Sequence, residues 1–200
     1  HVPSCVVRPE QTEGPYFVDE RLNRSDIRSD PTTGQVKPGT PLALTLHIFR
    51  LGSGDCQPLA GAQVDLWHCD ALGVYSDVRD AGFNTVGQKF LRGYQITDTR
   101  GEAKFVTIYP GWYAGRTVHI HVKVRTAHAA ERHSEFTSQM YFDDELTDRV
   151  YADQPYAAKG RRYARNQDDR IFRRGGDQLM LAPTTIADGY AATFEIGLQI

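Results

Sequence analysis

Residues 41–50 have the sequence PLALTLHIFR, in which apolar side chains recur at every second position. Successive side chains of a β-strand point to opposite faces of a sheet, so this period places one apolar row on a single face. The stretch is therefore predicted as a strand with two distinct faces. One face carries Leu42, Leu44, Leu46 and Ile48, and the other carries Ala43, Thr45, His47 and Phe49.

Six more segments are predicted as strands, and clusters of Gly, Pro and Asp separate many of them. Short strands at such spacing are typical of an antiparallel sandwich. Helix is sparse, with one short candidate at Asp144–Ala152 that Asp143 or Asp144 would cap. We therefore predict an all-β fold, an antiparallel β-sandwich with long irregular loops and little helix. The six segments are Ala62–His68, Gly93–Thr97, Ala103–Tyr109, Thr117–Arg125, Glu135–Phe142 and Ala191–Ile200.

Proline and glycine punctuate the first forty residues, which are irregular in pattern. Residues 1–40 are therefore predicted as an irregular N-terminal arm packed on a β-sandwich core of residues 41–200. A length of 200 residues suits one domain overall.

The composition excludes several classes of protein. Hydrophobic residues make up 40% of the chain and charged residues 24%, which is typical of a globular rather than a disordered or fibrous protein. The net charge of −2 provides no basic field, so no nucleic-acid partner is expected. No run approaches eighteen consecutive apolar residues, so no membrane partner is expected. The basic segment 159–174 is expected to be a solvated loop or helix, with an anion-binding patch as the alternative.

The three cysteines, Cys5, Cys56 and Cys69, bear on the compartment of the protein. They form no Cys-x-x-Cys pair, which disfavours a structural zinc site or a thioredoxin-like motif. A bridge between Cys5 and Cys56 would tie the N-terminal tail to the body and would suit an oxidising compartment, with Cys69 as a buried free thiol. The alternative is three reduced thiols. The chain begins at His1 without Met or signal peptide, so we expect a mature or trimmed form and an extracellular location.

Residues 109–124 have the sequence YPGWYAGRTVHIHVKV, which carries most of the candidate chemistry. His119 and His121 lie two residues apart on a predicted strand, so they share a face with their Cα atoms about 6.5–7 Å apart. Neutral imidazole is the commonest metal ligand in proteins, and two rings at this spacing can converge on one ion. The alternative is a pair of histidines on the wet face of a half-buried strand.

The neighbours of this pair favour a metal site. Arg116 precedes the first histidine by three residues, and Tyr113 precedes it by six. A tyrosine close to two histidines can act as an anionic oxygen ligand, because a hard trivalent cation such as Fe³⁺ stabilises phenolate. The alternative for Tyr113 is a packing tyrosine whose hydroxyl is hydrogen-bonded.

Two other metal-site patterns fit the sequence less well. A cupin-type His-x-His site needs a Glu a few residues after the second histidine, and the first one here is Glu131. A zinc hydrolase needs a third histidine or a carboxylate near the pair. His128 and His133 are available, but they lie in the charged stretch Ala127–Glu135, which is predicted to be a loop.

Four segments between about residues 5 and 145 carry a family resemblance. They are Thr12-Glu-Gly-Pro-Tyr16-Phe17, Val64-Asp-Leu-Trp-His-Cys-Asp-Ala-Leu-Gly-Val-Tyr75-Ser76, Pro110-Gly-Trp-Tyr113 through Arg116-Thr-Val-His119-Ile-His121, and Thr137-Ser-Gln139-Met-Tyr-Phe142. In this order they resemble the intradiol ring-cleavage dioxygenases, the family of protocatechuate 3,4-dioxygenase and catechol 1,2-dioxygenase. The four motifs together are far more specific than any one of them.

The resemblance implies an enzyme that uses O₂ to cleave catechol-type rings between their two hydroxyls, giving cis,cis-muconate-type products. Its cofactor would be a mononuclear non-haem Fe(III) ion, and its partners would be a small-molecule catechol and O₂. The oligomeric state stays open. By motif position, the implied metal ligands are Tyr75, Tyr113, His119 and His121.

The resemblance also implies roles around the iron. Arg116 and Gln139 would be catalytic groups beside it, and Tyr113 would leave the iron to take a proton from the substrate. Only five residues separate Tyr113 from His119, fewer than in the best-known members, so substrate preference does not carry over. The residues expected to contact the substrate are aromatic: Tyr16, Tyr109 and Trp112.

Two functions of other classes remain as alternatives. The first is a non-catalytic β-sandwich module that binds a metal or a sugar, which the full set of ligand positions together with Arg116 disfavours. The second is a metal-dependent hydrolase, which the missing acidic ligand disfavours.

Overall fold

The computed structural model describes residues 5–52, 55–127 and 133–200. These residues form nine strands, one α-helix (α1) and three short 3₁₀ turns. The strands are β1 (Pro41–Leu51), β2 (Cys56–Pro58), β3 (Gln63–Trp67), β4 (Arg92–Ile96), β5 (Glu102–Ile108), β6 (His119–Ala127), β7 (His133–Tyr141), β8 (Thr184–Ile186) and β9 (Gly189–Gln199). The helix α1 is Asp144–Val150, and the 3₁₀ turns are Tyr156–Lys159, Asn166–Asp168 and Gly176–Leu179.

The strands form two sheets, as the predicted β-sandwich requires. The first sheet has the order β2-β1-β9-β8, with β5 also paired to β1, and the second has the order β4-β3-β6-β7. The second sheet is antiparallel throughout its described strands. In the first sheet β1 and β9 run parallel, which differs from a purely antiparallel arrangement. A parallel pair needs a long crossover connection, and the whole length of chain between β1 and β9 provides one.

The core lies between the two sheets and contains the apolar row of β1 that the alternation predicted. Burial of such apolar surface is the main favourable contribution to folding. One continuous cluster of buried side chains includes residues from six strands: Leu42, Leu44, Leu46 and Ile48 of β1, Val64 and Leu66 of β3, Phe105 of β5, Ile120, Val122 and Val124 of β6, Phe136 and Met140 of β7, and Phe194 and Ile196 of β9.

The opposite face of β6, which carries the histidine pair, is buried as well. His119, His121 and Lys123 are 2%, 1% and 5% exposed, so the alternative of a wet strand face is wrong. The N-terminal segment covers this face, and Lys123 forms ion pairs with Glu13 of that segment and with Glu135 of β7. The structure contains the Cys5–Cys56 disulfide, which ties this segment to β2, and Cys69 is a buried free thiol.

The backbone of the N-terminal segment is hydrogen-bonded to β7. The Gln11 N–H donates to the carbonyl of Thr137 at 3.0 Å, and the Ser138 hydroxyl donates to the carbonyl of Pro9 at 2.7 Å. The segment is therefore a fixed cover on the second sheet. The division into an arm of residues 1–40 and a core of residues 41–200 stays a prediction.

The predicted helix is present and ends two residues early. Asp143 caps α1, because its carboxylate accepts a hydrogen bond from the Leu146 N–H at 2.9 Å. Among the described residues, no helix has the length and apolarity that crossing a membrane requires.

The predicted loop 127–135 is wrong at both ends, because β6 runs to Ala127 and β7 begins at His133. His128 and Glu131 lie outside the described residues. The three-residue strands β2 and β8 were not predicted, since a period of two cannot be recognised over so few residues.

The basic segment 159–174 is also less solvated than predicted. Arg162 is buried against α1 and forms ion pairs with Asp144 at 2.8 Å and with Asp148 at 3.0 Å. Asn166 and Asp169 are buried too. The segment therefore packs against the rest of the protein through Arg162, Asn166 and Asp169. The number of arginines in the segment does not predict this burial.

Candidate metal centre

The four predicted metal ligands meet at one end of β6. The His119 Nε2 atom lies 3.1 Å from His121 Nε2, 3.1 Å from the Tyr113 hydroxyl and 3.4 Å from the Tyr75 hydroxyl. The two tyrosine hydroxyls are 3.3 Å apart. Two nitrogen and two oxygen atoms from three separate parts of the chain thus form one compact donor set.

The two histidines owe their positions to β6 and their orientation to what surrounds it. The His119 Nδ1 atom lies 2.6 Å from the carbonyl of Thr117, which can only accept a hydrogen bond. Nδ1 therefore carries the proton, and the Nε2 lone pair points into the donor set. The His121 ring stacks on Trp67, with centroids 4.9 Å apart and planes 4° apart. Burial lowers the pKa of both histidines, with a further contribution from nearby Arg116, so both rings are neutral at ordinary pH.

The two tyrosines lie on loops that are joined through their backbones. Tyr75 follows β3 and Tyr113 follows β5, and between these loops the Gly111 N–H donates to the Asp70 carbonyl at 3.0 Å. Gly111 has no room for a side chain, because a Cβ atom there would lie 2.4 Å from the carbonyl oxygen of Ala71. The Pro-Gly-Trp-Tyr motif therefore needs its glycine so that the two loops can approach closely.

A lysine joins the same two loops from the side. The Lys159 ammonium donates to the Leu72 carbonyl at 2.6 Å and to the Trp112 carbonyl at 2.5 Å. It also lies 4.6 Å from the centre of the Trp112 ring. These contacts fix the loops that carry Tyr75 and Tyr113 relative to each other.

We expect Gly111→Ala to disturb both the fold and the site. The new methyl group would have to displace backbone atoms, and such overpacking costs about 1–3 kcal/mol of unfolding free energy. The separation of the loops should also weaken metal binding. Urea unfolding and metal analysis measure the two effects. The matched control is Gly52→Ala, since a Cβ at Gly52 meets nothing within 4 Å. Unchanged stability and metal content in Gly111→Ala would contradict the close approach.

Without a cation both tyrosines are neutral phenols. Burial is the main cause that raises the pKa of Tyr75 and of Tyr113 above 10, and Arg116 opposes the rise in both. A multivalent cation reverses this preference, because its charge dominates the local electrostatics and stabilises phenolate. The donor set therefore comprises two neutral nitrogens and two oxygens that become anionic when a metal binds.

The donor set fits a first-row metal ion better than it fits internal hydrogen bonding. His119 Nε2 has a single lone pair, yet it has four polar neighbours within 3.4 Å: Tyr75 Oη, Tyr113 Oη, His121 Nε2 and Arg116 Nη1. His121 Nδ1 is buried with no hydrogen-bond partner among the described residues. Metal–nitrogen and metal–oxygen bonds of about 2.0–2.2 Å allow one ion to be shared by donors at these separations. Phenolate oxygens are hard ligands that suit Fe³⁺.

Arg116 lies beside this set and is held on two sides. Its Nη1 lies 3.3 Å from His119 Nε2, its Nη2 donates to the Gln139 side-chain oxygen at 2.5 Å, and its Nε donates to Asp169 at 2.8 Å. Gln139 is fully buried, and its amide nitrogen donates to the Thr12 carbonyl at 2.9 Å. Both polar atoms of the Gln139 side chain thus form hydrogen bonds within the protein. Gln139 therefore reaches the donor set through its hydrogen bond with Arg116. A direct catalytic role for Gln139 stays a prediction.

Aromatic side chains cover the tyrosine side of the donor set. The Tyr16 ring stacks on Tyr75 at a centroid distance of 4.5 Å and meets Tyr113 edge-on at 6.2 Å. Its hydroxyl donates to Asp80 at 2.6 Å, and burial together with this contact raises the pKa of Tyr16 to about 12. Neither Asp80 nor Trp67, the stacking partner of His121, was predicted as a site residue, because neither stands out in the sequence by type or by spacing.

Tyr109 and Trp112 lie in the main core instead of the cluster that contains Tyr16. The Tyr109 hydroxyl is 2.7 Å from the Thr147 hydroxyl, and its ring packs on Phe142. The Trp112 Nε1–H donates to the Gly160 carbonyl at 3.3 Å. These contacts give both side chains structural roles, and substrate contacts for either of them stay predictions.

This chain is an all-β protein in which two histidines of the second sheet lie beside two loop tyrosines, and comparison with known proteins identifies its family. A family model described as Dioxygenase matches residues 12–178. The chain belongs to the intradiol ring-cleavage dioxygenase family.

The similarity extends over nearly the whole fold. An intradiol ring-cleavage dioxygenase from Tetranychus urticae is 28% identical with a TM-score of 0.81, covering 98% of this chain and 95% of that one. The chlorocatechol 1,2-dioxygenase of Pseudomonas putida is 26% identical over 149 residues, which are 66% of this chain and 52% of that protein. The protocatechuate 3,4-dioxygenase beta chain of Burkholderia cepacia is 29% identical over 163 residues, or 76% and 67% of the two chains. The chain thus spans about half the length of the first of these two curated relatives.

Proposed function

We propose that this chain is an Fe(III)-dependent intradiol dioxygenase that opens catechol-type rings between their hydroxyls with O₂, giving cis,cis-muconate-type diacids. The observation that carries the proposal is the convergence of two imidazole nitrogens and two phenol oxygens within 3.1–3.4 Å, on a chain of this family. The names of the similar proteins, which act on chlorocatechol and protocatechuate, support a catechol as the substrate class.

His119, His121, Tyr75 and Tyr113 would hold the iron. The chemistry that a ferric ion supplies in such a site is withdrawal of electron density from a catecholate, which opens a ring carbon to O₂. The two phenolates offset two of the three positive charges, and the neutral histidines add none. Trp67 keeps the His121 ring in place by stacking, and Thr117 keeps the His119 lone pair directed at the site.

Tyr113 is the ligand best placed to take a proton from the substrate. Tyr75 is fully buried under the Tyr16 ring, whereas Tyr113 is partly exposed and precedes the exposed residues Ala114 and Gly115. Its loop therefore has more freedom to move than the one that carries Tyr75. Because burial favours the protonated phenol, the Tyr113 oxygen is a strong base and can hold a proton from a catechol hydroxyl.

Arg116 supplies the positive charge beside the reacting atoms. A guanidinium stays protonated at every working pH, and its planar N–H groups can donate to negative charge that develops on the substrate. Tyr16 and Tyr75 give the same region aromatic surface, which suits the flat ring of a catechol.

Oxygen consumption with catechol tests the proposal. The iron-loaded chain should consume one O₂ per catechol and release a cis,cis-muconate, and metal analysis should find about one iron per chain. Product identification separates cleavage between the hydroxyls from cleavage beside them. Bound iron without oxygen uptake would indicate a binding module, and zinc in place of iron would indicate a hydrolase.

The disulfide supports an extracellular location for this enzyme. Bridges such as Cys5–Cys56 persist in oxidising compartments and are rare in the cytosol. Thiol titration of protein isolated from its source without reductant should find one free thiol, that of Cys69, only after unfolding. Three free thiols would contradict this location.

A further inference from the structure

We propose that Asp169 is the positioning residue that holds the Arg116 guanidinium against the metal centre. This inference rests on the dioxygenase function proposed above. Asp169 belongs to the basic segment 159–174, whose charge predicted a solvated surface. Its carboxylate instead binds Arg116, at the N–H group next to the one that Gln139 binds. The Arg116 Nε donates to Asp169 Oδ2 at 2.8 Å, with the two side chains 15% and 1% exposed.

Asp169 is itself held in place by backbone groups. Its Oδ2 also accepts the Thr117 N–H at 3.0 Å, and its Oδ1 accepts the Ile171 N–H at 2.7 Å. A buried carboxylate with both oxygens hydrogen-bonded has little freedom to rotate. The contact to Thr117 matters further, because the carbonyl of that residue orients His119. Asp169 therefore supports Arg116 and one metal-binding histidine from a single fixed point.

The neighbouring residue Asn166 strengthens the same attachment. Its side-chain oxygen accepts the Thr117 hydroxyl at 2.7 Å, and its side-chain nitrogen donates to the Phe142 carbonyl at 2.9 Å. The turn 166–169 is therefore anchored both to the segment just before β6 and to the residue just after β7. This anchoring makes Asp169 a rigid support rather than a surface charge.

Arg116 needs such a support for two reasons. The guanidinium is a planar fork, so fixing Nε leaves Nη1 and Nη2 pointing toward His119 and Gln139. Gln139 is neutral and cannot balance its charge. Among the described residues, Asp169 is the ion-pair partner of Arg116. Its negative charge would lower the repulsion between the arginine and a cation bound by the donor set.

The kinetic test compares Asp169→Asn with Asp168→Asn in the iron-loaded chain, using catechol as the substrate. Asp168 is the adjacent carboxylate, is exposed, and accepts a hydrogen bond from the Arg165 N–H at 2.9 Å. We expect Asp169→Asn to lower kcat about tenfold to a hundredfold while KM changes much less. Asp168→Asn should change neither. Equal kinetics for the two variants would overturn the proposal.

A double-mutant cycle separates positioning from a general loss of structure. If Asp169 acts mainly through Arg116, Asp169→Asn lowers kcat in the otherwise unchanged chain and lowers it much less in Arg116→Met, where only the contact to Thr117 is still affected. Equal losses in both backgrounds would show a structural role only and would overturn the proposal. Should Asp169→Asn fail to fold, Asp169→Glu takes its place, since it keeps the charge and displaces it by one methylene.

A measurement on the metal-free chain tests the anchor without any turnover. The Arg116 Nε–H signal in a nitrogen-15 NMR spectrum should be protected from exchange with water, and Asp169→Asn should remove this protection while Asp168→Asn preserves it. Loss of protection in both variants or in neither would overturn the proposal. If the unaltered chain consumed no O₂ with catechol, the proposed function would fail, and this comparison would still decide on the anchor.

Discussion

Replacing His119 with alanine is expected to remove iron from the protein and to abolish turnover. His119 Nε2 is the atom closest to all the other donors of the site, with His121, Tyr113 and Tyr75 within 3.1–3.4 Å. Its loss leaves three donors, two of which are phenols that burial keeps protonated. Loss of a group that only hydrogen-bonds a metal ligand lowers metal affinity by up to about 100-fold. We therefore expect the loss of a ligand itself to lower iron affinity by more than that.

The large loss of iron affinity follows from the link between cation binding and ionisation of the tyrosines. Each tyrosine ionises only if a cation compensates for its burial, so weaker cation binding also makes the phenolates less available. Metal content, iron affinity and the visible absorption that arises from tyrosinate-to-iron charge transfer measure the result together. All three should fall in parallel in His119→Ala.

A suitable control is His47→Ala on β1. His47 also belongs to a strand, but it is partly exposed and its Nε2 lies 3.6 Å from Glu102, outside the metal centre. This variant should keep its iron, its absorption and its oxygen uptake. Full iron content in His119→Ala would remove this histidine from the donor set and the proposed function with it.

The shared face of His119 and His121 on β6 could be predicted from the sequence. The burial of that face under the N-terminal segment could not. A period of two is a local property, so residues 118–124 are enough to place His119 and His121 together on one face. The cover depends on contacts between distant parts of the chain, such as the hydrogen bond from Gln139 to Thr12, which are 127 residues apart. No local pattern in residues 5–20 indicates that they lie on that particular face.

The two tyrosines and Asp169 show a second limit of prediction from the sequence. Tyr75 and Tyr113 lie on loops, where no periodicity marks a functional side chain. The short spacing between Tyr113 and the histidine pair indicated that tyrosine as a ligand, whereas only the resemblance to a family selected Tyr75. Asp169 lies among arginines, and the charge of that segment predicted a solvated surface. Its burial becomes favourable because Arg116 and three backbone N–H groups donate to its carboxylate, which a count of charges cannot show.

Replacing Arg116 with methionine is expected to leave iron bound and to remove most of the turnover. Arg116 touches the donor set through Nη1 alone, at 3.3 Å from His119, so the four donors survive its loss. Its charge matters when negative charge builds up on the substrate, and loss of one such donor costs about 10²–10³ in kcat. Methionine keeps much of the apolar volume of the arginine stem without the charge.

The control for this variant is Arg100→Met, because Arg100 is exposed and pairs with Asp98 and Glu102 on the surface. A loss confined to kcat in Arg116→Met, with iron content and KM nearly unchanged, would place the role of the arginine in the transition state rather than in substrate binding. A rise in KM alone would make Arg116 a substrate-binding group. Full activity would leave the pairing of Arg116 with Asp169 as a structural contact beside the site, because a charge that the reaction does not use needs no precise orientation.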